Sequence, residues 1–104
     1  MGVIFKNNAA STLASGIDDS ALSLSVAGGD GAEFPNPTGS DYFYCTLADT
    51  SGNIEIVKVT ARSTDTFTIV RAQDNTGARA WLASDKVELR TCAAMLTDLA
   101  SAGA

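Results

Sequence analysis

The chain has no histidine. That removes the commonest general base, proton shuttle and metal ligand together. A Ser-His-Asp or Cys-His arrangement is excluded, and so is a histidine-based zinc site. Charge is also scarce, with only 18% of residues charged. The seven basic residues, Lys6, Lys58, Arg62, Arg71, Arg79, Lys86 and Arg90, are scattered, and the net charge is −5. No run of them neutralises several phosphates, so nucleic acid is not an expected partner. An anionic membrane surface is disfavoured for the same reason. No apolar stretch approaches the ~20 residues that span a bilayer. The start, Met1 to Lys6, lacks a signal-peptide pattern, and Asn7 stands where myristoylation wants Ser or Thr. A soluble, cytoplasmically made protein is the expectation.

Only two cysteines are present, Cys45 and Cys92. Their spacing fits no metal or redox motif. Cys45 shares a strand phase with Phe43 and Leu47 and reads as a small buried hydrophobe. A bond between them requires the tail to fold back on the Cys45 strand, and a reducing cytosol argues against it.

What the chain does have is β pattern. Four runs are rich in β-branched and aromatic residues and end at turn residues: 42–48, 54–61, 66–71 and 86–91. Phe43, Cys45 and Leu47 alternate against Tyr42, Tyr44 and Thr46. Phe67 and Ile69 alternate against Thr66, Thr68 and Val70. In 54–61 the apolar phase switches between Ile56 and Val57, which predicts a bulge there or a strand covered on both faces. Asp49 to Asn53 reads as a hairpin loop with Gly52 or Asn53 at positive φ. Upstream, Leu22, Leu24 and Val26 alternate with Ser23 and Ser25 as a half-buried strand. Residues 3–6 read as a short strand, 7–11 as a turn, and 12–17 as ambiguous.

The fold class is therefore all-β: a small antiparallel barrel or sandwich with a short C-terminal helix. At 104 residues it forms one domain, spanning 1–91, with a helical tail over 92–104. Two long loops, 27–41 and 72–85, interrupt it. The first holds both prolines and one large apolar residue, Phe34, which pins it to the core. Trp81, near the end of the second, caps one end of the barrel or serves as a contact anchor. A tail helix of about eight residues is marginal alone and needs something to lean on.

Carboxylates at Asp18, Asp19, Asp30, Glu33, Asp41 and Asp49 fall in predicted turns and read as turn and capping chemistry. A hydrolase built on Asp18 and Asp30 is the weaker alternative. The glycines of 28–31 offer neither an EF-hand ligand pattern nor a phosphate-loop ending. Arg71, Arg79 and Arg90 lie near strand ends, where Asp74, Asp85 or Glu88 can pair with them, within the chain or across an interface.

Three stretches carry a resemblance: Phe5 to Ala14; Gly39 to Thr60; and Ile69 to Trp81 running into Asp85 to Leu96. The last is the most specific, with Arg71-Ala72-Gln73, a loop, Ala78-Arg79-Ala80-Trp81, and Val87-Glu88-Leu89-Arg90 before an Ala-rich segment. Together they resemble a small β-rich module of virion structural proteins in tailed bacteriophages, both free-standing and near the start of tail-fibre chains. The resemblance implies a non-catalytic assembly part without catalytic residues, cofactor or metal. It implies a location in the virion, and capsid, neck or tail proteins as partners, with a homo-oligomer expected. Because the sequence stops after the tail, a decoration or attachment protein is the first reading, and a tail-fibre or collar-fibre component the second. The residues expected to bind partners are Phe34, Trp81, Arg71, Arg79, Arg90, Met95, Leu96 and Leu99. A carbohydrate-binding module using Trp81 with Tyr42 or Tyr44 is a further alternative.

Overall fold

Alternation in the sequence becomes alternation in space. The computed structural model describes residues 2–4, 9–90 and 92. Its strands are β1 (Gly2–Val3), β2 (Ala10–Thr12), β3 (Ser23–Ser25), β4 (Asp41–Ala48), β5 (Ile54–Ser63), β6 (Thr66–Gln73) and β7 (Lys86–Glu88). The long strands β4, β5 and β6 form a meander. The full order is β2-β7-β4-β5-β6-β3, all antiparallel, and β1 adds a short parallel pair to the start of β4. Leu13 and Val26 bridge the two outermost strands. There Ala14 N–H donates to Ser25 O and Ala27 N–H to Thr12 O, both at 2.9 Å. The sheet thus curls back on itself into a barrel-like wall, and the hydrogen bonds of its outer strands find partners.

The interior takes every second residue: Phe43, Cys45 and Leu47 from β4, Val57 and Val59 from β5, Phe67 and Ile69 from β6, and Val87 from β7. The expected irregularity in 54–61 is real, and both versions of it hold. The β5–β6 register shifts between Ile56 and Lys58, and again between Val59 and Ala61. Outside the wall, Ile56 and Tyr44 bury against Val3, Tyr42, Leu89 and Cys92, so β5 is covered on both faces. Gly52 turns the β4–β5 hairpin at φ 90°.

The all-β antiparallel expectation holds, with four corrections in detail. Residues 10 and 11, read as part of a turn, belong to β2, because β7 offers them an edge to pair with. The last strand is shorter than 86–91, ending at Glu88. Leu22 does not follow Leu24 and Val26 inward; it lies before β3 and is 67% exposed. Loop 27–41 contains a single 3-10 turn, Asp30–Glu33. Cys45 is buried and Cys92 half-buried, both as thiols. The expected helix after Cys92 lies outside the described residues.

One end of the barrel is closed by loop 27–41. Phe34 packs with its ring centroid 6.1 Å from Phe43 and 5.0 Å from Phe67. The turn is held by Asp65, whose carboxylate accepts the amides of Gly29 (3.0 Å) and Gly31 (2.9 Å). The Gly28–Gly31 segment thus aims amide hydrogens at a carboxylate. A side chain at Gly31 would put its Cβ 1.9 Å from Thr64 O, which is backbone. Replacing Gly31 with Ala is expected to cost at least about 2 kcal/mol in urea denaturation. Gly28→Ala, where nothing lies within 4 Å, is expected to stay within about 0.5 kcal/mol.

Candidate functional site

The opposite end of the barrel carries the one fully buried charge among the described residues, Glu55, which is 0% exposed. Strand phase puts it there. Glu55 alternates with Val57 and Val59, and Arg71 alternates with Phe67 and Ile69, so both point inward as the last interior residues at this end. The register shift leaves one extra residue in β6 between the pairs Ile56–Gln73 and Lys58–Val70. Ala72 takes it up at φ 55°. That bulge turns the Ala72 N–H into the barrel mouth.

Glu55 accepts five hydrogen bonds. Oε2 receives Arg71 Nε (2.9 Å) and Ala72 N (3.0 Å). Oε1 receives Arg71 Nη2 (2.9 Å), Trp81 Nε1 (2.9 Å) and Arg79 N (3.2 Å). The Arg71 pairing is the two-pronged form in which guanidinium and carboxylate match best. The remaining Arg71 donors reach Asp18 O (2.7 Å), Ala21 O (3.1 Å) and Arg79 O (2.6 Å). Two side chains thereby tie β5, β6, segment 17–22 and loop 72–85 into one piece. Trp81 exchanges backbone hydrogen bonds with Ile17, both at 2.9 Å. The Arg79 guanidinium sits 4.5 Å from the Trp81 ring centroid and pairs with Asp49 Oδ2 at 3.1 Å.

Burial alone would push the Glu55 carboxyl up. The hydrogen bonds from Arg71, Trp81, Ala72 and Arg79 outweigh it and hold the group below its ordinary value. The same carboxylate has no route to solvent and no spare position for a substrate. It is a clamp.

The expected contact residues divide three ways. Phe34 and Trp81 are each 1% exposed, and Arg71's side chain is 7% exposed. None of these three presents a surface to a partner, because each fills a barrel end or neutralises Glu55. Trp81 takes the capping role, not the anchoring one. Its ring is buried with Arg79 over it, and Tyr44 is buried under the outer cluster. The stacking platform imagined for a glycan does not form on them. Tyr42 is half-buried, with its edge toward Tyr44 and Lys58 Nζ 4.2 Å from its centroid. Arg79 and Arg90 stay partly exposed. Arg90 pairs with Glu88 at 2.7 Å as expected, whereas Arg71 and Arg79 chose Glu55 and Asp49 over Asp74 and Asp85. Met95, Leu96 and Leu99 lie outside the described residues.

Asp18 and Asp49 act as the expected turn carboxylates, Asp18 accepting from Ser20 and Asp49 from Ser51 and Asn53. Asp30 instead accepts from Ser11, 19 residues away, and Asp41 opens β4. Asp18 and Asp30 hold opposite ends of the barrel, so they do not combine into one site. Glu55 was the residue overlooked. Its signal lay in the sequence: an acid in phase with Val57 and Val59 has to be buried, and a buried acid needs a cation. No family model and no curated protein matches this chain.

Removing Arg71 leaves Glu55 buried and unpaired. Arg71→Met is expected to cost about 3–5 kcal/mol in chemical denaturation, and the double variant Glu55→Leu/Arg71→Met distinctly less.

Acid should loosen the fold through the same groups. Asp49 is held at about 2, chiefly by the Asn53 side chain, against a burial cost, and then by the Asn53 and Ser51 amides and Arg79. The amides of Gly29 and Gly31 hold Asp65 below its ordinary value. Folded values below unfolded ones mean the stabilisation is complete above the ordinary carboxylate range and lost as pH falls through the folded values. Tm is expected to stay flat from about pH 7 to 5 and to drop between about pH 4.5 and 2. The drop should be shallower in Asp49→Asn.

Proposed function

We propose that this protein is a non-catalytic structural component of a tailed-bacteriophage virion, a decoration or attachment module that binds capsid, neck or tail proteins. The resemblance in Ile69 to Trp81 and Asp85 to Leu96 brings the class. The observation that carries the reading is the clamp. The ion pair made by the one fully buried charge among the described residues fixes the shape of loops at a barrel end instead of lining an open cleft. A rigid, preordered surface loses little entropy when it docks.

Those loops carry the two most exposed large apolar residues described, Leu82 (73%) and Leu22 (67%). Both belong to the clamped end. Ala21 O, next to Leu22, binds Arg71. Leu82 directly follows Trp81, and its Cα lies 3.8 Å from where a Gly16 Cβ would sit. Near them lie Asp18, whose carbonyl accepts Arg71, Asp19, whose charge acts on Arg71, and Asp85, which accepts the Leu82 amide at 2.8 Å. Glu55 and Asp49 are matched by Arg71 and Arg79. Exposed leucines on loops that carry carboxylates suit a partner that offers apolar recesses and basic residues. Two like-charged copies meet poorly through this face, so a symmetric pair is not expected there.

Particles grown with the tagged chain and purified from the host provide the test. The wild-type chain is expected in them at fixed copy number. Leu22→Ser/Leu82→Ser, folded by its Trp81 emission, should be retained at least ~10-fold less. A chain absent from purified particles would rule out a virion role.

A further inference from the structure

Asp30–Gly31 is the only Asp-Gly step in the sequence. The pair is chemically labile wherever the backbone is free. The Gly nitrogen, unshielded by a side chain, attacks the preceding Asp side-chain carboxyl carbon. A new N–C bond forms on the protonated carboxyl, its hydroxyl and the amide proton leave together as water, and a succinimide results. Water then reopens the ring at either carbonyl. Opening at the backbone carbonyl leaves an isoaspartyl linkage, with one extra methylene in the main chain. Water is lost and regained, and nothing is oxidised or reduced.

The fold demands this pair and restrains both reacting groups. Gly31 is buried, and a Cβ there would strike Thr64 O at 1.9 Å. No other residue type fits. The Gly31 N–H, which must be freed before the nitrogen attacks, donates to Asp65 Oδ1 at 2.9 Å. The Asp30 carboxyl is held from the other side, accepting Ser11 Oγ at 2.7 Å through Oδ2. The turn itself is fixed by Asp30 N–H to Ala27 O (2.9 Å) and Phe34 N–H to Gly31 O (3.1 Å).

We infer that Asp30–Gly31 is a latent isoaspartyl site, which Asp65 and Ser11 keep silent in the folded protein. Reaction requires the turn to open and release both bonds. Once it has occurred, the lengthened backbone no longer fits beneath Phe34, whose ring closes this end of the barrel. The site thus records how often the 27–34 plug opens, and Asp65 sets that frequency.

The test uses the full chain at 37 °C and neutral pH. Isoaspartate is read by enzymatic methyl transfer from S-adenosylmethionine and placed at residue 30 by fragmentation mass spectrometry. The folded wild type should isomerise at least about tenfold more slowly than the same chain in urea, since opening breaks a charge-assisted hydrogen bond. Asp65→Ala with native Trp81 emission should lie between the two. If Asp65→Ala does not fold, Ser11→Ala tests the restraint from the carboxyl side, with the same faster rate expected. A folded wild type as fast as the unfolded chain overturns the inference. So does a folded variant no faster than wild type.

Discussion

The Glu55–Arg71 pair is the constraint on which the clamped end of this molecule depends. A buried ion pair adds little net stability over an apolar pair of similar volume. What it adds here is direction. An apolar pair would leave the carbonyls of Asp18, Ala21 and Arg79 and the amides of Ala72 and Arg79 to find other partners. With the pair in place each has a fixed one. Segment 17–22 and loop 72–85 thereby become parts of the barrel, and Trp81 is drawn in as its lid.

The two ends are closed by the same device used differently. At one end a carboxylate inside the barrel collects donors from loops outside. At the other, Asp65 on the β5–β6 turn reaches across to collect the amides of Gly29 and Gly31. In both, a single anion organises a loop too irregular to satisfy its own backbone groups. Aromatic rings then fill the space beneath: Trp81 at the first end, Phe34 with Phe43 and Phe67 at the second. The short β2 and β3 contribute few ladder bonds of their own. They hold because the Leu13–Val26 bridge joins them to each other.

This economy bears on what such a protein is for. Its strongest polar interactions are spent inward, on shape. At the clamped end Leu22 and Leu82 stand exposed, on loops that also carry Asp18 and Asp85. Under the proposed virion role, such a rigid body is one suited to docking in an assembly.

The meander was legible from the runs 42–48, 54–61 and 66–71 because period-two alternation in the first and last of them leaves one consistent interior face. The burial of Phe34 and Val87 and the capping by Trp81 followed from size and apolarity. The irregularity in β5 showed as a break in phase. Of the three-residue strands, β3 and β7 were legible inside the runs 22–26 and 86–91, whereas β2 was read as a turn, since it carries no period of its own and pairs only because the β7 edge is present. The partners of Arg71 and Arg79, unlike that of Arg90, were equally hidden, because Arg71 and Glu55 stand 16 residues apart and meet only once the register and the Ala72 bulge are set. Sequence alone determined that this chain is an antiparallel β protein without histidine chemistry, as composition and alternation are local properties. Which charges are buried together, which aromatics become lids and which leucines remain outside were decided by the tertiary structure, because those outcomes depend on strands distant in sequence closing around a common interior.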